Sequence, residues 1–436
     1  MPARPNVLLF ITHDTGRFVS PYGVRTVQTP ACERLAAEGV RFANSFATCP
    51  LCSPSRAACV TGRFPHQNGV QGLTGDGTGA FAFHPTEKHA ARLFADAGYE
   101  SVLCGFEHEA RQPKEVGFAG TLSGRGDWFN GGNDTRQHAG EIEQWLGRRD
   151  KARPFYLQIG SHETHQPWDA NDTPPDESLG LTVPGYLNDL PEVRREMAEM
   201  QGAVKRLDEA FGGMLAALER GGVADETIVV FTTDHGIDYP RAKGTCYDDG
   251  IGVFHFMRYN RANWGRGRVV DEMISNVDVL PTLLEAAGIA VPANMAGRSF
   301  LPLLDGRAYT PNDAIYSEKD YHDTYDPTRS IRTQKYKYIR YFEVCIFQDL
   351  RLATETRRHY FKQSWVRRTV EELYDLQADP GEATNLAVKP TPENEAVLKD
   401  LRHRLLTWMK ATDDPLLKGP IESPFYRQQR AAFLAS

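Results

Sequence analysis

The sequence predicts an α/β protein: a large, mostly parallel central sheet flanked by helices on both faces, joined to a smaller C-terminal α+β subdomain with an antiparallel sheet. Three observations predict it. Short apolar, β-branched runs alternate with helical periodicity from Asn6 to Gly288. Four of those runs end in polar clusters. Beyond about residue 310 the pattern changes to alternating aromatic and basic residues. A chain of 436 residues accommodates both units, and we place them at 1–310 and 311–436.

Asn6 to Thr12 is a short apolar run between Pro5 and the polar cluster His13-Asp14-Thr15-Gly16, and reads as a buried strand. Thr29 to Gly39 reads as a helix that Thr29 can cap, Pro30 can open and Gly39 can end. Pro85 to Gly98 reads as another helix, followed by a strand over Tyr99 to Cys104. Phe155 to Gly160 is a strand after Pro154. Leu190 to Arg220 carries a helical period that stops at Gly221-Gly222. Thr227 to Thr232 is a continuous β-branched strand, and Val277 to Gly288 is a helix started or kinked near Pro281. In the second unit, Ser330 to Phe342 reads as an antiparallel strand with one wet face. Glu372 to Leu386 reads as strand, turn and helix start, and Asn394 to Lys410 as a final helix.

A net charge of -7 argues against a polyanion-binding surface, so nucleic acid is not an expected partner. No apolar run is long enough to span a bilayer, so a membrane is not expected either. The stretch Val7 to Ile11 is too short for a signal-peptide core and no small-residue cleavage site follows. The expectation is a cytoplasmic protein, or a periplasmic one if a leader has been removed. Seven cysteines (Cys32, Cys49, Cys52, Cys59, Cys104, Cys246 and Cys345) are odd in number and scattered, which fits no disulfide framework. Cys49 and Cys52 form a single CxxC, the spacing of a redox pair. Oligomeric state is not legible: Lys362 to Val370 reads equally as an interface or a solvated helix.

Sites in such sheets lie beyond the carboxyl ends of the strands. Four strand ends here carry potential ligands: His13-Asp14, His108, His162 to His165, and Asp234-His235. The segment Cys49 to Arg63 adds a helix start. Pro54 suits a first turn and Gly62 a termination, so Cys52 falls at a helix N-terminus, where unpaired N–H groups favour an anion and a thiolate. Arg56 follows one turn later on the same face, where a guanidinium can grip a tetrahedral oxyanion. A lone cysteine near an arginine is more often a structural thiol beside a surface charge.

The full pattern Cys52-Ser53-Pro54-Ser55-Arg56, then Thr61-Gly62-Arg63, resembles the signature of the formylglycine-dependent sulfatases of the alkaline-phosphatase superfamily. The resemblance runs through Asn6 to Asp14, Thr29 to Phe42, Phe231 to Gly236, Lys243 to Gly250, Asp278 to Gly288 and Leu373 to Leu386. His66-Gln67-Asn68-Gly69 is similar to the sulfamidase branch. The resemblance implies hydrolysis of a sulfate ester or sulfamate on a sugar or aryl substrate. It also implies that a formylglycine-generating enzyme converts Cys52 to the nucleophile. It implies one divalent cation held by Asp14, Asp234 and His235 beside residue 52. Lys243 would bind the sulfuryl oxygens, and His165 would protonate the leaving group or contact the sulfate. His162 is read as a brace. A phosphonate or phosphate ester hydrolase with the same site is the alternative, and a non-catalytic binding homologue a third reading.

Two positions depart from the family pattern. His13 stands where a second acid is usual. As a ligand it makes the site richer in imidazole, which brings in Mn²⁺, Fe²⁺ or Zn²⁺ beside the family's Ca²⁺; otherwise it is a donor behind the ligands. In Gly105-Phe106-Glu107-His108, His108 matches the family but Phe106 replaces its lysine. Either Arg17 or Arg63 supplies the missing charge, or the substrate carries a different charge or a positive group of its own, for which Glu107 is a partner. The leaving-group pocket is expected from Thr74 to Phe83, Ser123 to Asn133 and Tyr321 to Asp326.

Overall fold

A computed structural model describes residues 4–75, 79–123, 134–168, 173–262, 264–322, 324–343, 369–389 and 391–435. Most of Ser123 to Asn133 and of Lys362 to Val370, and Cys345, lie outside the described residues. The strands in chain order are β1 (Asn6–Thr12), β2 (Val40–Phe42), β3 (Ser45–Phe46), β4 (Glu100–Gly105), β5 (Gly120–Thr121), β6 (Phe155–Gly160), β7 (Thr227–Thr233), β8 (Gly252–Val253), β9 (His255–Arg258), β10 (Arg268–Val270) and β11 (Ile274–Ser275). The later strands are β12 (Ile315–Tyr321), β13 (Tyr325–Arg332), β14 (Tyr336–Tyr341) and β15 (Glu371–Asp375).

The central sheet has eight strands in the order β10-β2-β9-β7-β1-β6-β4-β5. Only β9 runs antiparallel to its neighbours β2 and β7. Helices cover both faces: α1 (Pro30–Glu38), α2 (Cys52–Thr61), α3 (Pro65–Asn68), α4 (Ala90–Asp96), α5 (His138–Arg148), α6 (Pro191–Arg220), α7 (Asp248–Ile251), α8 (Val279–Ala286) and α9 (Leu301–Leu304). The period of two along β1 divides the core. Leu8 and Phe10 join α1, α5 and α6 on one face. Val7, Leu9 and Ile11 join α2, α4 and α8 on the other. Because both faces are covered, β1 reads as an uninterrupted apolar run rather than an alternating one.

The second sheet is antiparallel, β12-β13-β14-β15, and packs on α10 (Pro392–Ala411) through Ile331, Tyr338, Leu373, Leu401 and Leu405. Ala58 and Phe64 share that cluster, so the second sheet backs the helix that begins at Cys52. A last helix, α11 (Pro424–Leu434), has no counterpart in the sequence reading. Its exposed Phe425, Tyr426 and Leu434 break the apolar stripe that marks a buried face.

Two elements differ from expectation. Ser330 to Phe342 is not one strand but parts of β13 and β14, turned where Thr333 N donates to Tyr336 O at 2.8 Å and Thr333 Oγ1 accepts from Tyr336 N at 2.9 Å. Alternation continues across the turn, so periodicity could not reveal it. The helix expected from Pro85 begins at Ala90, because extended His89 caps it: its Nδ1 accepts from Ala91 N at 3.0 Å. No helix among the described residues is long and apolar enough to cross a membrane.

Candidate active site

Strand ends β1, β4, β6 and β7 lie side by side, and with α2 they bring the predicted residues together. Cys52 opens α2, whose preceding residue Leu51 is extended (φ -141°). The helix is buried throughout and tied down by Ser55 Oγ donating to Asp234 O at 2.5 Å and Asn276 Nδ2 donating to Ser55 O at 3.0 Å. Its thiol faces His235, Nε2 to Sγ 3.4 Å. Cys49 takes another direction. Burial, then Glu318, Cys246 and Asp320, push its thiol well up, so it faces the second sheet. Both cysteines are free thiols, which leaves the CxxC redox reading without support.

Asp14 sits at φ 44°, a left-handed conformation that costs a non-glycine residue energy. Its backbone N–H donates to Asp234 Oδ1 at 2.9 Å, and Gly16 N donates to His235 O at 2.9 Å, which hold the turn. Gly236 is required here: a Cβ would come within 1.9 Å of Asp249 O. Around Asp14 lie His235 Nε2 at 3.1 Å from Oδ1, Lys243 Nζ at 2.7 Å from Oδ2 and His165 Nε2 at 3.8 Å from Oδ2. Lys243 also reaches Asp238 at 3.4 Å. His13 Nδ1 lies 3.2 Å from Asp14 Oδ1 and 3.3 Å from Asp234 Oδ2.

Burial dominates the electrostatics. It pulls His13, His108 and His165 well below the ordinary imidazole range, with Arg56 or Lys243 adding to the effect, and His162 down to about 4. These rings are neutral at pH 7. Burial also raises Asp234, but Asp14 stays well below the usual carboxylate range because Lys243, His165 and His235 outweigh its burial. His165 Nδ1 lies 2.6 Å from Gln166 O and His235 Nδ1 2.9 Å from Gly236 O. A carbonyl only accepts, so each Nδ1 carries a proton and each Nε2 faces the cluster.

The donor atoms of His13, Asp14, Cys52 and Asp234 all lie within 4.8 Å of one another, as do those of His13, Cys52 and His108. Four carboxylates (Asp14, Asp234, Asp238, Glu109) meet two cations (Arg56, Lys243). The convergent donors fit one divalent cation.

Three expectations change. Arg56 is fully buried, and Nη1 and Nη2 donate to Thr12 O and Ile11 O at 3.0 Å each, with Asp234 at 3.4 Å and Glu109 at 3.5 Å. It braces the loop from beneath instead of reaching out as a grip. Neither Arg17 nor Arg63 takes the place of the lysine missing at Phe106. Arg17 donates to Ser45 O and lies over Phe46, whereas Arg63 pairs with Glu87 at 3.2 Å. Glu107 folds onto its own loop, accepting from Glu109 N and Ala110 N at 2.9 and 3.0 Å. Phe106 itself packs against the rings of His13 (5.0 Å), His108 (5.3 Å) and His162 (5.6 Å). The wall expected to carry a cation is aromatic. The described parts of two expected pocket loops do meet, Phe81 on Tyr321 at 5.2 Å.

Sequence reasoning passed over Glu109 and Asp238. Both lie within three residues of candidates already singled out, a proximity that offered a signal. His322, inside the expected pocket loop Tyr321 to Asp326, acts on His108, a contact the sequence did not indicate.

The family match and the named relatives make this chain a hydrolase of sulfuric esters. The sulfatase family model matches residues 5–289, most of the chain, and a model for the C-terminal region of N-sulphoglucosamine sulphohydrolase matches residues 241–351. The chain belongs to the sulfatase family. It is 28% identical to an ulvan-active sulfatase of Formosa agariphila over 95% of this chain and 76% of that one. It is 27% identical to the human N-sulphoglucosamine sulphohydrolase over 96% and 92%. In fold it is similar to a protein solved with its substrate D-glucosamine-2-N,6-O-disulfate (TM-score 0.74, 23% identity, 94% and 99% covered). It is also similar in fold to the phosphonate monoester hydrolase of Agrobacterium radiobacter (TM-score 0.72, 21% identity, 96% and 99% covered).

Proposed function

We propose that this enzyme removes sulfate from a small sulfated sugar, using a nucleophile made from Cys52 and one divalent ion. The observation that carries the reading is the meeting of Cys52 Sγ with the donors of His13, Asp14 and Asp234 within 4.8 Å. The relatives named for ulvan and for N-sulphoglucosamine support a sugar rather than a simple aryl substrate. His13, Asp14, Asp234 and His235 would hold the ion, which would polarise the ester oxygens. Formylglycine at residue 52, once hydrated, would supply one hydroxyl to attack sulfur and a second whose deprotonation would expel sulfate.

The chain's own groups do the rest. His235 Nε2, 3.4 Å from the residue-52 side chain, would hold the ion directly beside the nucleophile. Lys243 Nζ, held between Asp14 and Asp238, presents charge to the sulfuryl oxygens. His165 Nδ1 faces Gln166 O and burial holds the ring well below the ordinary imidazole range, so its Nε2 carries the lone pair. It serves the leaving oxygen only after taking up a proton. Arg56 keeps β1 and the Asp234 loop in register beneath.

A substrate panel tests this, run on enzyme co-expressed with a maturation system: a sulfated glucosamine, an aryl sulfate, an aryl phosphate diester and a phosphonate monoester. The sulfated sugar is expected to be turned over fastest. Sulfate turnover orders of magnitude below the phosphonate would transfer the reading to a phosphonate hydrolase, which Phe106 in place of the family lysine favours. Intact mass of the Cys52 peptide is expected to show loss of the thiol sulfur; an unmodified thiol counts against the mechanism.

A further inference from the structure

We propose that this centre selects a first-row transition ion of the Mn²⁺, Fe²⁺ and Zn²⁺ class over Ca²⁺, and that His13 is the ligand that decides. The inference rests on the reading that a divalent ion sits among these residues.

Two aspartates offer four carboxylate oxygens, but two are engaged. Asp14 Oδ2 receives Lys243 Nζ at 2.7 Å. Asp234 Oδ1 receives two backbone N–H groups, from Asp14 at 2.9 Å and His235 at 2.8 Å. The remaining pair, Asp14 Oδ1 and Asp234 Oδ2, are the two that His13 Nδ1 approaches, at 3.2 and 3.3 Å, and Arg56 Nη1 also reaches Asp234 Oδ2 at 3.4 Å. Each aspartate therefore has at most one oxygen left for an ion, and neither can chelate through both. Calcium takes six to eight oxygens and often uses bidentate carboxylates. This site instead surrounds two oxygens with imidazole. Besides His13, His235 Nε2 lies 3.1 Å from Asp14 Oδ1, and His108 shares a second donor group with His13 and Cys52. Mixed nitrogen and oxygen donors of this kind suit first-row transition ions.

His13 cannot readily turn away. It is fully buried, with Phe106 and His165 each 5.0 Å from its ring and His162 at 5.7 Å. A flexible lysine at position 106 would not present that flat surface. The two departures from the family pattern are thus one feature: the ring at 106 orients the imidazole at 13.

The test uses the full chain, stripped of metal and equilibrated with Mn²⁺ against a hundredfold excess of Ca²⁺, with bound metal measured after desalting. Wild type is expected to retain about one equivalent of Mn²⁺ and to melt higher with Mn²⁺ than with Ca²⁺. His13→Asp is expected to shift the preference toward Ca²⁺ by about 10- to 100-fold. Phe106→Ala, which leaves every donor in place, is expected to weaken Mn²⁺ binding without favouring Ca²⁺. Retention of Ca²⁺ by wild type overturns the proposal, and that result needs no variant to fold. An unchanged preference in folded His13→Asp overturns the role of His13. Turnover plays no part in these measurements. Selection of Mn²⁺ without sulfate hydrolysis sinks only the hydrolase reading, and a sulfatase that keeps Ca²⁺ sinks only this one.

Discussion

Two buried clusters in this protein are built from the same residue types and do different things. One is the strand-end cluster of His13, Asp14, Asp234 and Cys52. The other lies at the seam between the two sheets, where His66, Glu318 and Asp414 also come close enough to hold an ion. At the seam the cation is already supplied. Arg329 donates to both oxygens of Asp414 at 2.6 and 3.0 Å and to Asp320 at 2.9 and 3.3 Å. His66 Nδ1 lies 2.5 Å from Glu318 Oε2, and His66 N donates to Oε1 at 2.7 Å. Every carboxylate there has a fixed protein partner. At the strand ends, by contrast, the donors of His13, Asp14, Cys52 and Asp234 converge on one another, and Arg56 and Lys243 each reach one oxygen of an aspartate. A cluster of acids and histidines becomes a site when its donors converge on one point, and a clasp when an arginine already fills that point.

The sharpest way to break this contrast is a pair of variants with opposite signatures. Cys52→Ala is expected to lower kcat/KM on a sulfated sugar by about 10⁴-fold or more with little change in melting temperature. Arg329→Ala is expected to leave kcat of the folded enzyme nearly unchanged while costing about 3–5 kcal/mol in urea unfolding, because Asp320 and Asp414 lose their partner in the interior. If the Arg329 variant loses turnover while still folded, the seam is part of the site.

Lys243→Ala is next in size: a fall of about 10²-fold in kcat/KM, measured at saturating divalent ion. Lys243→Arg is not expected to restore it, because a planar fork does not fit the gap between Asp14 and Asp238 as a compact ammonium does.

The smallest effect is a difference in pH dependence. Burial pulls His66 down, but Glu318 wins and raises it. Its charged pair therefore stabilises fully below the unfolded imidazole value, and that stability fades as pH rises through the raised folded value. His89 and His255 behave oppositely, since burial lowers them to about 4 and about 3. The fold refuses their protons, so stability is lost as pH falls below about 6.5, by up to about 1.4 kcal/mol per pH unit for each. His66→Gln is expected to lose most stability at the acid end, whereas His255→Gln is expected to flatten the acid limb. Unfolding curves at stepped pH read both. Equal slopes for the two variants would mean that the seam does not hold a charged imidazole.

How much of this was legible depended on range. β1 and β6 match their sequence reading residue for residue, because an apolar run bounded by polar or proline residues is a local signal. The start of α2 at Cys52 follows from Pro54 and Gly62 in the same way. The hairpin at Thr333 was hidden because alternation does not change phase across it. The partner of Arg56 was misjudged because helix geometry gives its face but not what lies on that face. Two carbonyls of β1, forty-four and forty-five residues away, take its donors.

By itself the sequence determined the succession of strands and helices and the placing of acids, histidines and one cysteine at strand ends and a helix start. Those are consequences of periodicity, capping and residue type, which act over a few positions. Only the tertiary structure decided that Cys49 and Cys52 face different sheets, that Phe106 backs His13, that Lys243 stands between Asp14 and Asp238, and that Arg329 closes the second cluster. Each of these depends on which strands are neighbours and which way their side chains point. The order β7-β1-β6-β4 and the stacking of the second sheet on α2 set both, through contacts between residues far apart in the chain.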